Sequence, residues 1–370
     1  MWRVVLLAAI FGGVFTLGVD RLLGPANPVS DAAVESLPEP PPPTLVPIAD
    51  PGPSRGLVSQ VLPTLGVAST AVQYGVYPLR GQGRGPGATF PLVSFTCPAD
   101  RACDAVFKTI DRLAQAQGLG LVAPGAVDRP KRVLYRALTD GGRPALALRA
   151  YPAGPRVSVI LTSVGQDRAL LEPLSRLDPD ITFAVRADLA NAPAVARGLT
   201  ATGREIIAHL PMEPRDAGTD GHPQYLSTQM SVDRLREATH AYLDRVPGAV
   251  GADNFRGERL TTSPVHMQAV LSVLGERGVF FFDGRTSDAS VAMVTARANG
   301  VRVAARTHRL AGDAVTIDNQ LKGIEVALAL EGQAVVVVEA STTVLGVLPR
   351  WLQALRSRRV SLLRLSEIVL

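Results

Sequence analysis

The chain has 370 residues, of which 46% are hydrophobic and 19% charged, and its formal net charge is +5. These values exclude a disordered chain and a disulfide-dense miniprotein, and the length predicts two folded units. The basic residues are almost all arginine and are scattered, and aromatic residues make up only 5%, so neither the clustered charge nor the stacking platforms of a nucleic-acid-binding protein are present.

The N-terminal segment has the pattern of a membrane anchor. An uncharged, mainly apolar run covers 4–19 and lies between Arg3 and Asp20. Its length falls between the apolar region of a signal sequence and the roughly 20 residues of a spanning helix. Because no small-x-small cleavage site follows, we expect an uncleaved signal anchor over 1–24. The positive charge of Arg3 predicts that the bulk of the chain lies outside the cytoplasm.

Two tracts of unusual composition follow the anchor. Half of the residues in 38–53 are proline, which is typical of an extended spacer, and 79–87 is rich in Gly, Arg and Pro. We therefore expect residues 25–87 to form a linker with little independent structure.

Residues 88–152 are predicted to form a small βαββ module. Apolar residues at helical spacing indicate a helix after Cys103, and Asp140-Gly141-Gly142 indicates a hairpin. The predicted strands are 90–95, 133–135 and 145–149. Cys97 and Cys103 form either a local disulfide or a pair of free thiols, since a zinc site would need two further ligands nearby.

From residue 156 onward, short apolar runs alternate with helical stretches. This alternation predicts a parallel sheet covered by helices, and seven or eight units can close into a barrel. The predicted strands are 157–161, 181–185, 205–208, 249–251, 279–282, 301–305, 335–338 and 360–363. The predicted helices are 170–177, 192–202, 232–243, 265–277, 289–299, 317–330 and 347–356.

Functional sites of parallel α/β folds lie at the carboxyl ends of the strands. His209 opens the segment His-Leu-Pro-Met-Glu-Pro there, in which the prolines stop a helix, and its imidazole could bind a metal or carry a proton. Asp283 and Glu339 each follow an apolar run directly, where a carboxylate is either a site residue or the N-cap of the next helix. The residues that we inspect at these ends are Thr162, Ser163, Arg186, His209, Asp253, Asn254, Asp283, Thr307, His308 and Glu339.

Three motifs in this region carry a family resemblance. They are His209-Leu-Pro-Met-Glu213-Pro, the segment from Leu243 through Gly251 to Asn254, and Phe282-Asp283-Gly-Arg-Thr-Ser287. Their order and spacing resemble the divergent polysaccharide deacetylases of bacterial envelopes, in the NodB-like carbohydrate esterase superfamily. The resemblance implies a distorted (β/α) barrel over 153–370. It also implies an Asp and two His that hold a divalent metal, whose bound water attacks an acetyl carbonyl.

The chain departs from the motifs of that family at three strand ends. The family's Asp-Asp-Leu-Gly is Thr162-Ser163-Val164-Gly165 here, its Asn-His-Met-Gly is Asn254-Phe255-Arg256-Gly257, and its Gly-His-Pro corresponds to Val338-Glu339-Ala340. His209 alone remains of the expected ligands. A catalytic metal needs about three protein ligands and an open position.

Whether the chain is an enzyme is therefore left open by the sequence. We favour a catalytically degenerate barrel without a cofactor, in which Arg256 and Arg285 pair with Glu258, Asp283 or Glu339 and so replace the metal. Such a protein would be held in the bacterial inner membrane, with its bulk in the periplasm, and would bind an envelope glycan or an envelope protein. The residues expected to line its pocket are Thr162, Ser163, Glu213, Asp253, Asn254, Arg256 and Arg285.

Two alternatives retain chemistry at His209. In the first, His209, Asp283 and Glu339 hold zinc or another divalent ion in a remodelled, active deacetylase. In the second, His209 and either carboxylate act as an acid/base pair without a metal, which requires a separation of about 3 Å.

Overall fold

The computed structural model describes residues 60–68, 72–78, 89–100, 102–122, 133–141, 143–216 and 225–370. These residues all belong to one compact unit, Leu45–Leu370. The predicted anchor at 1–24, the spacer at 38–53, the tract at 79–87 and His222 lie outside the described ranges. Within those ranges, no helix is both long enough and apolar enough to cross a membrane.

The first part of the unit is a five-stranded sheet with the order β1-β2-β5-β4-β3. Strands β2 and β5 are parallel, and the other neighbours are antiparallel. The strands are β1 (Val72–Pro78), β2 (Thr89–Thr96), β3 (Gly120–Val122), β4 (Leu134–Asp140) and β5 (Arg143–Tyr151). Helix α1 (Cys103–Ala116) connects β2 to β3.

This sheet is larger than the predicted βαββ module because β1 and β3 add to it. Strand β1 pairs with β2 over its whole length, and a helical turn at 60–64 packs on the same core as Phe95 and Phe107. The expectation that residues 25–87 have little structure was therefore wrong for 60–68 and 72–78, where Val61, Leu62 and Leu65 bury apolar side chains. A disulfide joins Cys97 to Cys103, with 5.5 Å between the Cα atoms.

The second part of the unit is a nine-stranded parallel sheet with the order β11-β10-β9-β8-β7-β6-β13-β12, and β14 pairs with β6. Its first strands are β6 (Arg156–Val164), β7 (Thr182–Arg186), β8 (Glu205–Met212), β9 (Gly251–Arg256) and β10 (Phe280–Asp283). They are followed by β11 (Val303–Ala305), β12 (His308–Leu310), β13 (Gln333–Glu339) and β14 (Ser361–Leu362).

Helices connect these strands and cover the outside of the sheet. They are α2 (Leu171–Ser175), α3 (Ala192–Ala201), α4 (Val232–Asp244), α5 (Pro264–Glu276), α6 (Ala292–Ala298), α7 (Ala314–Glu331) and α8 (Thr342–Ser357). Proline at the start of α3 and α5 and hydroxyl or carboxylate caps at Ser231, Asp313 and Ser341 explain where several of them begin.

The sheet curls into a distorted barrel, which confirms the predicted fold class. Strands β11 and β12 form its two edges, yet only Arg306 and Thr307 separate them in the chain. The backbone N–H of Thr307 donates to the carbonyl of Val335 at 3.0 Å, so this short connection crosses the opening between the edges.

Alternating side chains divide the residues of each strand between two apolar cores. Phe183, Val185 and Phe281 join the core beneath the outer helices. Phe280 and Phe282 belong to the inner core. The C-terminal segment fills this inner core with Leu363, Leu365, Ile368 and Val369, all of which are buried.

Two buried polar side chains hold the C-terminal segment in the barrel. The carboxylate of Glu205 accepts a hydrogen bond from the Thr182 hydroxyl at 2.8 Å and from the Ser366 N–H at 3.1 Å. The same hydroxyl of Thr182 accepts from the Leu365 N–H at 3.0 Å. This network ties the segment to β7 and β8.

Strand β9 is the main difference from the predicted barrel elements. The apolar run at 249–251 predicted a strand there, whereas the strand is Gly251–Arg256. A hydropathy pattern does not detect this strand, because Asp253 and Asn254 are polar although both are buried. The short strand β12 was not predicted as a separate element.

We expect Glu205→Ala to lower the free energy of unfolding by about 2–4 kcal/mol, because the buried hydroxyl of Thr182 and the N–H of Ser366 lose their acceptor. Urea unfolding followed by circular dichroism measures this. Glu237→Ala is the control, since its ion pair with Arg234 is exposed and contributes less than about 1 kcal/mol. Equal midpoints for the two variants would contradict the role of Glu205.

Candidate functional site

A buried histidine–carboxylate pair lies at the carboxyl ends of β8 and β9. His209 and Asp253 are directly opposite in the parallel register. The Nδ1 atom of His209 lies 2.8 Å from Oδ1 of Asp253, and the two residues are only 4% and 1% exposed. The ring of Phe255 packs at 5.2 Å from the imidazole. Asp253 thus fixes the orientation of the ring and leaves Nε2 as the nitrogen available for other contacts.

The carboxyl ends of β6, β7, β8 and β9 are called the mouth of the barrel. A guanidinium group lies there beside the His209–Asp253 pair. Arg186 is opposite His209 in the β7–β8 register, and its Cζ lies 3.6 Å from the ring centre of Phe255 on β9. Its Nε and Nη2 atoms donate to the two carboxylate oxygens of Asp188 at 2.8 and 2.5 Å, and Nη1 donates to Gln166 at 3.3 Å. The side chains of Arg186 and Asp188 are 7% and 3% exposed. The positive charge is therefore buried, paired and fixed.

A cleft of about 220 Å³ opens next to these groups, between the loop after β6 and the beginning of α8. Its polar lining comes from Ser163, Gln166, Asp167, Glu339, Ser341 and Thr342. Ser163 has a φ of 58°, in the left-handed region that favours glycine. The backbone at the end of β6 is thus held in a strained conformation at the rim of the cleft.

Several of the predicted pocket residues are bound within their own loops. Asp283 accepts from the backbone N–H of Arg285 at 2.8 Å and from the Ser290 hydroxyl at 2.9 Å. Asn254 accepts from the Gly284 N–H at 2.8 Å and so ties the ends of β9 and β10 together. Thr162 lies in the β6–β13 ladder opposite Glu339. These contacts give Asp283 and Asn254 structural partners and place Thr162 in the sheet, and the expected site roles of the three residues stay predictions.

The structure contains one of the ion pairs expected in place of the metal, since Arg256 lies 4.0 Å from Glu258. Arg285 is exposed and forms no ion pair with a described carboxylate; its backbone N–H donates to Asp283 and its carbonyl accepts from Arg306. The guanidinium that occupies the mouth is that of Arg186.

The described residues do not fit a catalytic metal. Among them, no group of three His, Cys, Asp or Glu side chains is positioned to hold an ion. Glu339 and His209 lie on strands that are separated by β6 and β7, a path of roughly 14 Å along the sheet. The proposed ligand set of His209, Asp283 and Glu339 therefore does not assemble, and the carboxylate beside His209 is Asp253.

Sequence reasoning missed the most important group of the mouth. Arg186 was inspected as a strand end but was not assigned a role, and Asp188 and Gln166 were not considered. No strand periodicity could have found the pair, because β7 ends at Arg186 and Asp188 lies in the turn that follows.

Glu213 follows β8 and forms hydrogen bonds to the segments before α4 and after β9. Its carboxylate accepts from the Thr228 N–H and hydroxyl at 2.6 and 2.7 Å, from the Ser227 hydroxyl at 3.0 Å and from Arg259 at 3.3 Å. Burial alone would raise the pKa of Glu213, but these hydrogen bonds outweigh it and hold the pKa below its ordinary value of 4.5. Glu213 thus has a structural role in joining the two loops, and its expected place in the pocket stays a prediction.

We expect Glu213→Gln to lower the free energy of unfolding by roughly 1–3 kcal/mol near neutral pH, because the neutral amide loses the charge that strengthens these hydrogen bonds and its NH₂ group cannot accept from Arg259. A lowered folded pKa stabilises the fold fully above about pH 4.5, and this contribution is lost as the pH falls through the lowered pKa. The difference between wild type and variant should therefore shrink in acid. Urea midpoints measured across that pH range test this, and a constant difference would contradict it.

Comparisons with known proteins agree with this architecture. The profile of the divergent polysaccharide deacetylase family matches residues 159–369. Uncharacterized protein YibQ of Escherichia coli (strain K12) is 27% identical over 161 residues, which are 44% of this chain and 50% of that protein. An uncharacterized protein of Haemophilus influenzae is 28% identical over 152 residues, 40% of this chain and 53% of its own length. The chain thus spans about half the length of these curated relatives.

A solved structure shows the same fold. The crystal structure of the uncharacterized protein ATU2773 from Agrobacterium tumefaciens C58 matches with a TM-score of 0.56 and 22% identity, over 58% of this chain and 89% of that one. The family match covers more than half of the chain and includes each strand end described above. This protein belongs to the divergent polysaccharide deacetylase family.

Proposed function

We propose that the protein is a catalytically degenerate member of its family that binds an envelope glycan without hydrolysing it. The observation that carries this proposal is the buried guanidinium of Arg186, stacked on Phe255 and paired with Asp188 beside His209. The expected anchor over 1–24 would hold the protein in the inner membrane, with the barrel in the periplasm.

Hydrolysis in this family requires a metal-bound water, and the motif positions cannot supply its ligands. Ser163 and Phe255 stand where the family motifs have acid and histidine residues, and the remaining donors, His209 and Glu339, lie on strands that are separated by β6 and β7. Arg186 also fills the space between these strands with a positive group whose charge Asp188 balances. Arg186 and Asp188 therefore neutralise each other, and Asp253 is bound to His209, so these side chains have partners without a cation.

The neighbouring cleft supports a binding role for the same end of the barrel. Hydroxyl, amide and carboxylate groups line it, together with apolar Leu170 and Leu174. This mixture suits a sugar ring, which presents hydroxyl groups at its edge and C–H groups on its faces. The volume of about 220 Å³ lies below the roughly 300–1,000 Å³ of drug-sized ligand sites, so one sugar ring of a longer glycan would enter.

A second candidate is hydrolysis without a metal, which the His209–Asp253 pair favours. A carboxylate that orients a neutral imidazole is the usual support of a general base. The test of the main proposal distinguishes it.

We expect the purified protein to co-sediment with insoluble cell-wall glycan and to release no acetate from it or from N-acetylated chito-oligosaccharides. EDTA should leave glycan binding unchanged, because no group of three His, Cys, Asp or Glu side chains in the described part of the chain is placed to hold a metal ion. Acetate release that EDTA abolishes would overturn the proposal in favour of a metal-dependent enzyme. Acetate release that resists EDTA and disappears in His209→Ala would establish the second candidate.

We further expect that zinc binding can be built into the mouth only when the arginine is removed. Ser163→Asp with Phe255→His adds the two missing donors to His209. Adding Arg186→Gln and Asp188→Asn removes both charges of the buried pair together, so neither is left unpaired.

Zinc titration by calorimetry measures this difference. The fourfold variant should bind one zinc ion at least tenfold more tightly than the double variant that keeps Arg186 and Asp188. Equal affinities would contradict the role given to Arg186, and tight stoichiometric zinc binding by the wild type would contradict degeneracy.

A further inference from the structure

The cleft beside β6 is acidic. Asp167 and Glu339 line it, and none of its lining residues in the described part of the chain is Lys, Arg or His. Neither carboxylate has an ion pair with a described residue, although Asp167 accepts one hydrogen bond from the Ala169 N–H at 2.9 Å. An acidic cleft attracts a positively charged group of a ligand and disfavours an anionic one.

Ser163 supplies an independent sign of a ligand in the same cleft. It is only 7% exposed, it lines the cleft, and its hydroxyl forms no hydrogen bond with another described residue. The residue is nearly buried, so the exposed part of this polar side chain opens on the cleft. A ligand polar group in the cleft would provide a hydrogen-bond partner.

The charges around the cleft leave this acidic character in place. Arg186 reaches Gln166 at the rim, but Asp188 holds both ends of its guanidinium. The beginning of α8 carries the positive end of a helix dipole. The Ser341 hydroxyl caps this helix by accepting a hydrogen bond from the Val344 N–H. Glu339 is the charged side chain that lines this end of the cleft.

We infer that the cleft recognises the free amino group of a de-N-acetylated amino sugar within the glycan. An ammonium group donates three hydrogen bonds, and two carboxylates and a serine hydroxyl are acceptors that match it. An N-acetylated sugar has no charge at this position and a bulkier substituent. The inference rests on the proposed function, and it makes the protein a reader of deacetylated glycan.

The test compares two ligands that differ only in the acetyl groups. Full-length protein in detergent is titrated with chito-oligosaccharides and with their fully deacetylated counterparts at low ionic strength. We expect the deacetylated oligomer to bind at least tenfold more tightly, and we expect added salt to reduce this preference. Acetate is measured in the same samples.

Three variants and one control locate the preference. Glu339→Gln and Asp167→Asn should each reduce it by roughly three- to tenfold, because each removes one charge-assisted hydrogen bond. Ser163→Ala should weaken binding of the deacetylated oligomer without unfolding the protein. Glu331→Gln changes an exposed carboxylate at the end of α7 and should leave the preference unchanged.

The outcomes separate this inference from the proposed function. Equal binding of both oligomers, without acetate release, would overturn the inference and leave the proposed function standing. If the Glu339→Gln and Asp167→Asn variants both keep the preference for the deacetylated oligomer, the inference is also overturned. Release of acetate would overturn the proposed function, and binding of neither oligomer would overturn both.

Discussion

The arrangement of this barrel depends on how the concave face of a curled parallel sheet is filled. Bulky side chains such as Phe280 and Phe282 meet the C-terminal segment on that face, with Leu365 and Ile368 in the same core. The apolar contacts exclude water, and the buried carboxylate of Glu205 fixes the segment through hydrogen bonds. The side chains that pack against this segment point to the concave face, so alternate residues of the strands point to the helices. This alternation decides which side chains at the strand ends face the mouth.

The consequence is visible where equivalent strand ends have different roles. Phe282 belongs to the inner core, so Asp283 follows it on the opposite side and binds Ser290 beneath α6. Arg186 and His209 follow inner residues by two positions and therefore face the mouth. The mouth receives a histidine, an aspartate and an arginine salt bridge, while Asp283, one of the two strand-end carboxylates considered as ligands, supports a loop.

Much of the barrel was predictable because buried parallel strands are continuous apolar runs, and the runs for β6, β7, β10 and β13 are unmistakable. Strand β9 was misplaced because Asp253 and Asn254 interrupt hydropathy inside a buried strand. The candidate site was less predictable. Asp283 was selected by its position at a strand end, whereas its role depends on the phase of the strand. The contact between Arg186 and Phe255 joins β7 to β9, which no local pattern reveals.

The backbone of the mouth retains strain at the motif positions, although the side chains there have changed. Ser163 and Arg256 both have left-handed φ values, 58° and 59°, and they lie at the ends of β6 and β9. Each such residue costs on the order of 1 kcal/mol or more, and surrounding contacts must offset it. The buried Arg186–Asp188 pair constrains the same region, because removing either partner would leave a buried charge unpaired at a cost of about 3–5 kcal/mol. The two charges must therefore be kept or lost together, and with them the contact of Arg186 on Phe255 that joins β7 to β9 beside the cleft.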